Sequence, residues 1–235
     1  MIIDLGVSYV LAKIVEILEK YYGGIKPREF PAYDAVIRKM HPLGVLVSIV
    51  LSQNTSDKNA FTALMNLTRR LGYRLSPESF SRISDKELEE LIKPSGMQRV
   101  KVRAIRELLK LVNENPNVLT ESELEELRKT LMSVKGIGPK TADVFLLMYR
   151  GYPTFPIDTH IRRVLYRLGL AGKNEGYESI REKGMSMLPE SKYLSAHLLL
   201  IVHGRRTCTA RKPKCGECPI RSLCRRVGVA DGSGT

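Results

Sequence analysis

The chain has 235 residues, 43% of them hydrophobic, with 38 Lys and Arg against 25 Asp and Glu and a formal net charge of +13. That length and apolar content are enough for one globular domain or two modest ones, and they exclude a disordered chain or a disulfide-stapled miniprotein. No apolar run approaches the ~18–20 residues of a membrane span, and the excess of positive charge favours a polyanionic partner, nucleic acid first among them.

The opening residues Met1-Ile2-Ile3-Asp4 show no basic start followed by an apolar stretch, so the expected setting is intracellular, in the cytoplasm or nucleoid. From Val7 to Tyr22 apolar residues recur at three-four spacing, which predicts an amphipathic helix ended by Gly23-Gly24. Helix-period segments follow at 43–53, 57–71, 85–93, 99–113, 121–133, 140–150, 159–169, 175–187 and 192–203. Glycines and prolines punctuate them, notably Pro42, Gly72, Gly136, Gly138, Gly151 and Pro189. No run alternates apolar with polar β-branched residues, so the fold class is all-α. The Gly151–Pro156 stretch separates a central helical block from a C-terminal one, and residues 227–235, small and polar, are expected to be a disordered tail.

All four cysteines fall in one short segment, as Cys208, Cys215, Cys218 and Cys224, spaced C-x6-C-x2-C-x5-C. Concentrating the whole supply in this way marks a metal site, because disulfides fit poorly with a reducing compartment. Four thiolates suit tetrahedral zinc or a four-iron four-sulfur cluster, and the spacing alone does not choose between them. Eight Lys and Arg against the single acid Glu217 give residues 205–226 a net charge of +7. The first loop, with Arg211, Lys212 and Lys214, is therefore a metal-fixed basic surface suited to a phosphate backbone.

The segment Lys135-Gly136-Ile137-Gly138-Pro139-Lys140 joins two helical patterns. Gly136 and Gly138 are expected to take left-handed backbone angles in a tight turn, Ile137 to anchor it, and Pro139 to open the next helix. Backbone N–H groups at that helix start form a nest for a phosphate. Lys140 lies in the first turn, where the helix dipole opposes an ammonium and pushes the amine toward its neutral, nucleophilic form. Asp158, directly before another helix, is a fixed, ionised N-cap, whereas His160 reads as a local structural residue.

Together, the Gly136–Lys140 hairpin, the Pro156–His160 segment, the Leu200–Gly204 lead-in and the cysteine loop closely resemble the endonuclease III family of helix-hairpin-helix DNA glycosylases, from about Pro42 to Cys224. The resemblance implies a two-domain all-α fold with a DNA-binding groove between the domains. It implies an N-terminal helix (1–30) packing with the cluster domain, a central six-helix domain (31–150) and C-terminal helices with the iron–sulfur loop (151–226). It further implies that the four cysteines hold a 4Fe-4S cluster, that Lys140 is the lysine nucleophile and that Asp158 is the acidic catalytic residue. The expected activity is base-excision glycosylase and abasic-site lyase, removing oxidised pyrimidines from double-stranded DNA through a lysine Schiff base and β-elimination, with the protein a monomer. Leu51–Asp57 resembles the segment that fills the gap left by a flipped base, the match falling on Asn54 with Gln53 adjacent. Met97, in Ser95-Gly96-Met97, stands at the position of an apolar wedge, and Lys135 replaces a frequent proline. Two rival readings remain. Thymine or uracil mismatch glycosylases share the fold but commonly lack the lysine, and a noncatalytic DNA-binding module with a structural metal would leave Lys140 and Asp158 unexplained.

Overall fold

The structure, a computed structural model, describes residues 5–229. Among the described residues there are α-helices, short 3₁₀ turns and one π-helical turn, with no strand. In chain order the helices are α1 (Leu5–Tyr22), α2 (Pro31–Ile37), α3 (Pro42–Leu51), α4 (Asp57–Leu71), α5 (Pro77–Phe80), α6 (Asp85–Ile92) and α7 (Gln98–Glu114). They continue with α8 (Val118–Glu121), α9 (Leu124–Ser133), α10 (Pro139–Phe145), α11 (Thr159–Leu168), α12 (Tyr177–Ser186) and α13 (Tyr193–Arg206). Among the described residues no helix is long and apolar enough to cross a membrane. The chain divides into two compact units: Lys26–Tyr152, and the N-terminal segment through Ile25 with everything from Pro153 onward.

The Lys26–Tyr152 unit is built around α3. Every residue from Leu43 to Leu51 is buried, and a helix apolar all round must be surrounded. Helices α2, α4, α7, α8 and α10 pack on it. Helix α7 contributes one face, burying Val102, Ile105, Leu108, Leu109 and Val112 at three-four spacing. Ser56 and Ser84 cap α4 and α6 by accepting backbone N–H bonds from Asn59 and Glu87, and prolines open α2, α3, α5 and α10.

Several boundaries differ from the periodicity. The pattern over 121–133 is broken after Glu121, where Ser122 turns extended (φ −60°, ψ 148°) and Glu123 caps α9 with both carboxylate oxygens. The segment expected as one helix over 140–150 changes from α to π winding at Leu146 and stops at Gly151, φ +66°. Helices α2, α5 and α8 are too short for a periodicity to register.

In the other unit α13 is central, buried continuously from Ala196 to Gly204 and packed by α1 and α11. Leu11, Ile14, Val15 and Leu18 of α1, and Ile161, Val164, Leu165 and Leu168 of α11, are buried in the same unit. Of the expected tail, Val227 donates its backbone N–H to Arg167 O at 3.1 Å and Val229 to Arg226 O at 3.1 Å. Residues 230–235 lie outside the described residues.

Candidate functional site

In the Lys26–Tyr152 unit the α9–α10 hairpin is fixed from three sides. Ile137 is buried, with 4% of its surface exposed, and donates its backbone N–H to Val134 O at 3.0 Å, closing the turn. Gly136 takes φ +94°, and a Cβ there would sit 2.8 Å from the Ala104 Cβ of α7, so both conformation and space demand glycine. Gly138 corrects the expectation of two left-handed glycines. It is extended (φ −92°, ψ 175°) because it serves as the N-cap of α10, and nothing stands within 4 Å of where its Cβ would be. Its missing side chain leaves backbone open rather than permitting a turn.

Lys140 is half-buried in the first turn of α10. Beside it the Gln53 amide donates to Gly136 O at 3.2 Å and to Thr141 Oγ1 at 3.0 Å, lacing the end of α3 to the hairpin. Asn54 instead lies exposed in the left-handed region at φ +52° and donates to the sulfur of Met97 at 3.7 Å. Met97 is also left-handed, φ +50°, and 51% exposed. That conformation costs a residue with a Cβ about 1–2 kcal/mol. The structure thus brings Gln53 to the hairpin and Asn54 to Met97.

The pattern reading missed the tie between the two hairpin helices. Arg128 of α9 makes a two-pronged ion pair with Asp143 of α10, Nε to Oδ1 at 2.7 Å and Nη2 to Oδ2 at 3.1 Å, and the Asp143 side chain is fully buried. A carboxylate in the otherwise apolar run Ala142–Leu146 was the available signal, since a buried charge requires a partner.

Asp158 belongs to the other unit. Its Oδ1 accepts the Ile161 N–H at 2.7 Å, so it does cap α11, with an extended backbone at φ −95°, ψ −178°. His160 is not only local: Nδ1 meets Arg163 Nη2 at 3.1 Å, the side chain also packs against Gly204 of α13, and burial pushes its pKa down. Two further α11 arginines, unremarked in the sequence, hold the cysteine loop. Arg163 Nε donates to Cys208 O at 3.0 Å, and Arg167 donates to Thr209 O at 2.7 Å, Ala210 O at 2.9 Å and Cys208 Sγ at 3.3 Å.

All four cysteines line one pocket together with Arg167 and His203, and none of the four is paired in a disulfide. The donors aimed at sulfur suit the charge of a cluster's thiolates: besides Arg167, the Arg226 N–H points at Cys224 Sγ at 3.4 Å. His203 Nε2 lies 3.8 Å from Cys218 Sγ, its Nδ1 3.0 Å from Tyr22 Oη, and burial pushes its pKa down. The residues therefore fit an iron–sulfur cluster. Pro213 is buried and pins the loop between the knuckles, leaving Arg211, Lys212 and Lys214 exposed around it.

Residues 47–190 match the model of the HhH-GPD superfamily of base excision DNA repair proteins, and residues 208–224 match the iron–sulfur binding domain of endonuclease III. The chain is similar to endonuclease III of Sulfolobus acidocaldarius, 34% identical over 201 residues covering 86% of this chain and 89% of that one. Its fold is similar to a non-covalent endonuclease III–DNA complex (TM-score 0.78, 25% identity, 96% of this chain and 97% of that one). It is equally similar to a trapped endonuclease III–DNA covalent intermediate (TM-score 0.77, 26% identity, the same coverage of both).

Proposed function

This chain belongs to the HhH-GPD superfamily of base excision DNA repair proteins, and we propose that Lys140 is its nucleophile and Asp158 its charge-stabilising carboxylate in removing oxidised pyrimidines from duplex DNA. It is a DNA glycosylase and abasic-site lyase of the endonuclease III type, with a four-iron four-sulfur cluster on Cys208, Cys215, Cys218 and Cys224. Held by those four thiolates, the cluster would cross-link them and so fix the loop that carries Arg211, Lys212 and Lys214, the cations that hold the DNA backbone.

In this mechanism the damaged nucleotide leaves the stack. The neutral Lys140 amine forms a bond to the sugar C1′ as the bond from C1′ to the base breaks, and the base departs with the electron pair. Asp158, fixed by its cap bond to Ile161, stabilises the positive charge that develops on the sugar. A proton passes from nitrogen to the ring oxygen O4′ as the C1′–O4′ bond breaks, which opens the sugar ring and leaves a protonated imine between Lys140 and C1′. The imine acidifies the C2′ hydrogen, whose removal expels the 3′ phosphate, and hydrolysis returns free Lys140. Asn54 and Met97 enter the duplex, Asn54 in the gap and Met97 between bases, while Gln53 holds the hairpin.

The observation that carries this reading is the placement of Lys140 in the first turn of α10, at the end of a hairpin whose shape is dictated at Gly136 and laced by Gln53. Borohydride should trap the wild-type protein on a duplex containing an oxidised pyrimidine, and Lys140→Gln should abolish trapping and strand cleavage with DNA affinity retained. Asp158→Asn keeps the cap and should slow base release while the protein still folds. Efficient trapping by Lys140→Gln would assign the nucleophile to another amine.

A further inference from the structure

Lys101 is 1% exposed, among the largest fully buried side chains of the described residues. An ammonium so placed forfeits its water shell, and apolar packing alone would be served better by Leu or Met. What it gains is specific. Its Nζ donates to Leu51 O at 2.9 Å and to Ser95 O at 2.8 Å, two carbonyls that are distant in sequence. Leu51 is the last residue of α3, directly before the Gln53-Asn54 loop. Ser95 closes the turn before Gly96 and Met97, and Lys101 itself lies one helical turn beyond Met97 on α7.

Each of the two loops that meet at this ammonium places a non-glycine residue in the left-handed region. Asn54 at φ +52° and Met97 at φ +50° are left-handed, and their side chains touch at 3.7 Å. Such angles persist only where the surroundings over-determine them. The carbonyls of Leu51 and Ser95 are otherwise the ends of two separate segments, and one cation draws both inward.

We propose that Lys101 is a positioning residue that clamps the Asn54 and Met97 loops to each other, so that the two side chains enter duplex DNA as one pre-formed wedge. Lys101 touches neither substrate nor reacting atoms; it acts through Leu51 O and Ser95 O. Burial lowers its pKa to about 8, so the amine is predominantly charged at neutral pH and able to donate to both carbonyls at once. The proposal rests on the assignment of Asn54 and Met97 as inserting residues.

The test separates wedge insertion from chemistry. Lyase cleavage of a single-stranded abasic oligonucleotide needs Lys140 and no wedge, whereas base release from a duplex needs both. Lys101→Met, close in volume and without donors, should retain single-stranded cleavage within about twofold. On a duplex with 2-aminopurine beside an oxidised pyrimidine, it should lose most of the fluorescence rise that reports unstacking and slow base release at least about tenfold. Adding Lys101→Met to Met97→Ala should slow release little beyond Met97→Ala alone, because both act through the same wedge. Lys101→Gln, which keeps an N–H donor, should recover part of the loss.

Equal losses on single-stranded and duplex substrates, or effects that multiply in the double variant, would overturn the clamp. So would failure of both Lys101→Met and Lys101→Gln to fold, which would make the ammonium a structural requirement only. If the wild type cannot be trapped on the single-stranded abasic site, it is the Lys140 reading that fails, and the fluorescence comparison still judges the clamp.

Discussion

Two glycines of the hairpin differ in kind, and substitution separates their roles. Gly136→Ala must place a Cβ at φ +94° and 2.8 Å from Ala104, so it should destabilise the protein by about 2–5 kcal/mol, seen as a lower urea midpoint with unchanged slope. Gly138→Ala meets no atom within 4 Å and keeps an ordinary backbone conformation, so stability should move by less than about 0.5 kcal/mol. Its DNA affinity should fall nonetheless, since the added methyl covers backbone N–H groups at the start of α10. A stable Gly138→Ala variant with wild-type affinity would remove the hairpin backbone from the DNA contact. Sequence alone singled out both glycines but gave them one reason. The distinction needs Ala104, a residue of another helix that no local pattern connects to the turn.

At the scale of elements, the hairpin helices are joined by charge. Asp143→Asn leaves the Arg128 guanidinium opposite a neutral group in a site where Asp143 is fully buried, and should cost about 3–5 kcal/mol. Replacing both partners with apolar residues of similar volume should recover much of that, which thermal unfolding of the single and double variants can check. A second charge organises the entry to α12. Glu175 accepts the Gly172 N–H at 2.7 Å and pairs with Lys183 at 2.6 Å, and these contacts, the backbone bond foremost, hold its carboxyl down to about 2. The folded pKa is depressed, so its contribution is complete above the unfolded value near 4.5 and fades as pH falls toward 2. Glu175→Gln should therefore be less stable than wild type at pH 7, with the difference closing across that window; a pH-independent difference would contradict the linkage. Long helices such as α4 and α7 were legible because periodicity is local. The Arg128–Asp143 tie spans 15 residues and the Lys101–Leu51 bond 50, and a side chain's partner at such separation is fixed by packing, not by pattern.

Across the whole molecule, the net charge of +13 finds its most organised expression in the loop that the cysteines enclose. The loop is anchored at Pro213, at the Lys214 N–H bond to Thr207 O (2.9 Å) and by Arg163 and Arg167 of α11, so its cations are presented by a fixed backbone. The cysteine spacing was readable in the sequence, whereas the α11 arginines that seat the loop were not, because arginine in a basic chain carries no signal of its own. A fixed, exposed trio of cations that neutralises phosphates should act on every duplex alike. Replacing Arg211, Lys212 and Lys214 together with Ala should lower the slope of log affinity against log salt by up to about 2.7, the release expected for three phosphate contacts. Binding to undamaged and lesion-bearing duplexes should weaken by the same factor, and the iron content of the purified variant should match the wild type, because none of the three residues is a cluster ligand. Affinity lost only on damaged duplexes would make the loop a lesion reader, and lost iron would show that these side chains hold the cluster in place.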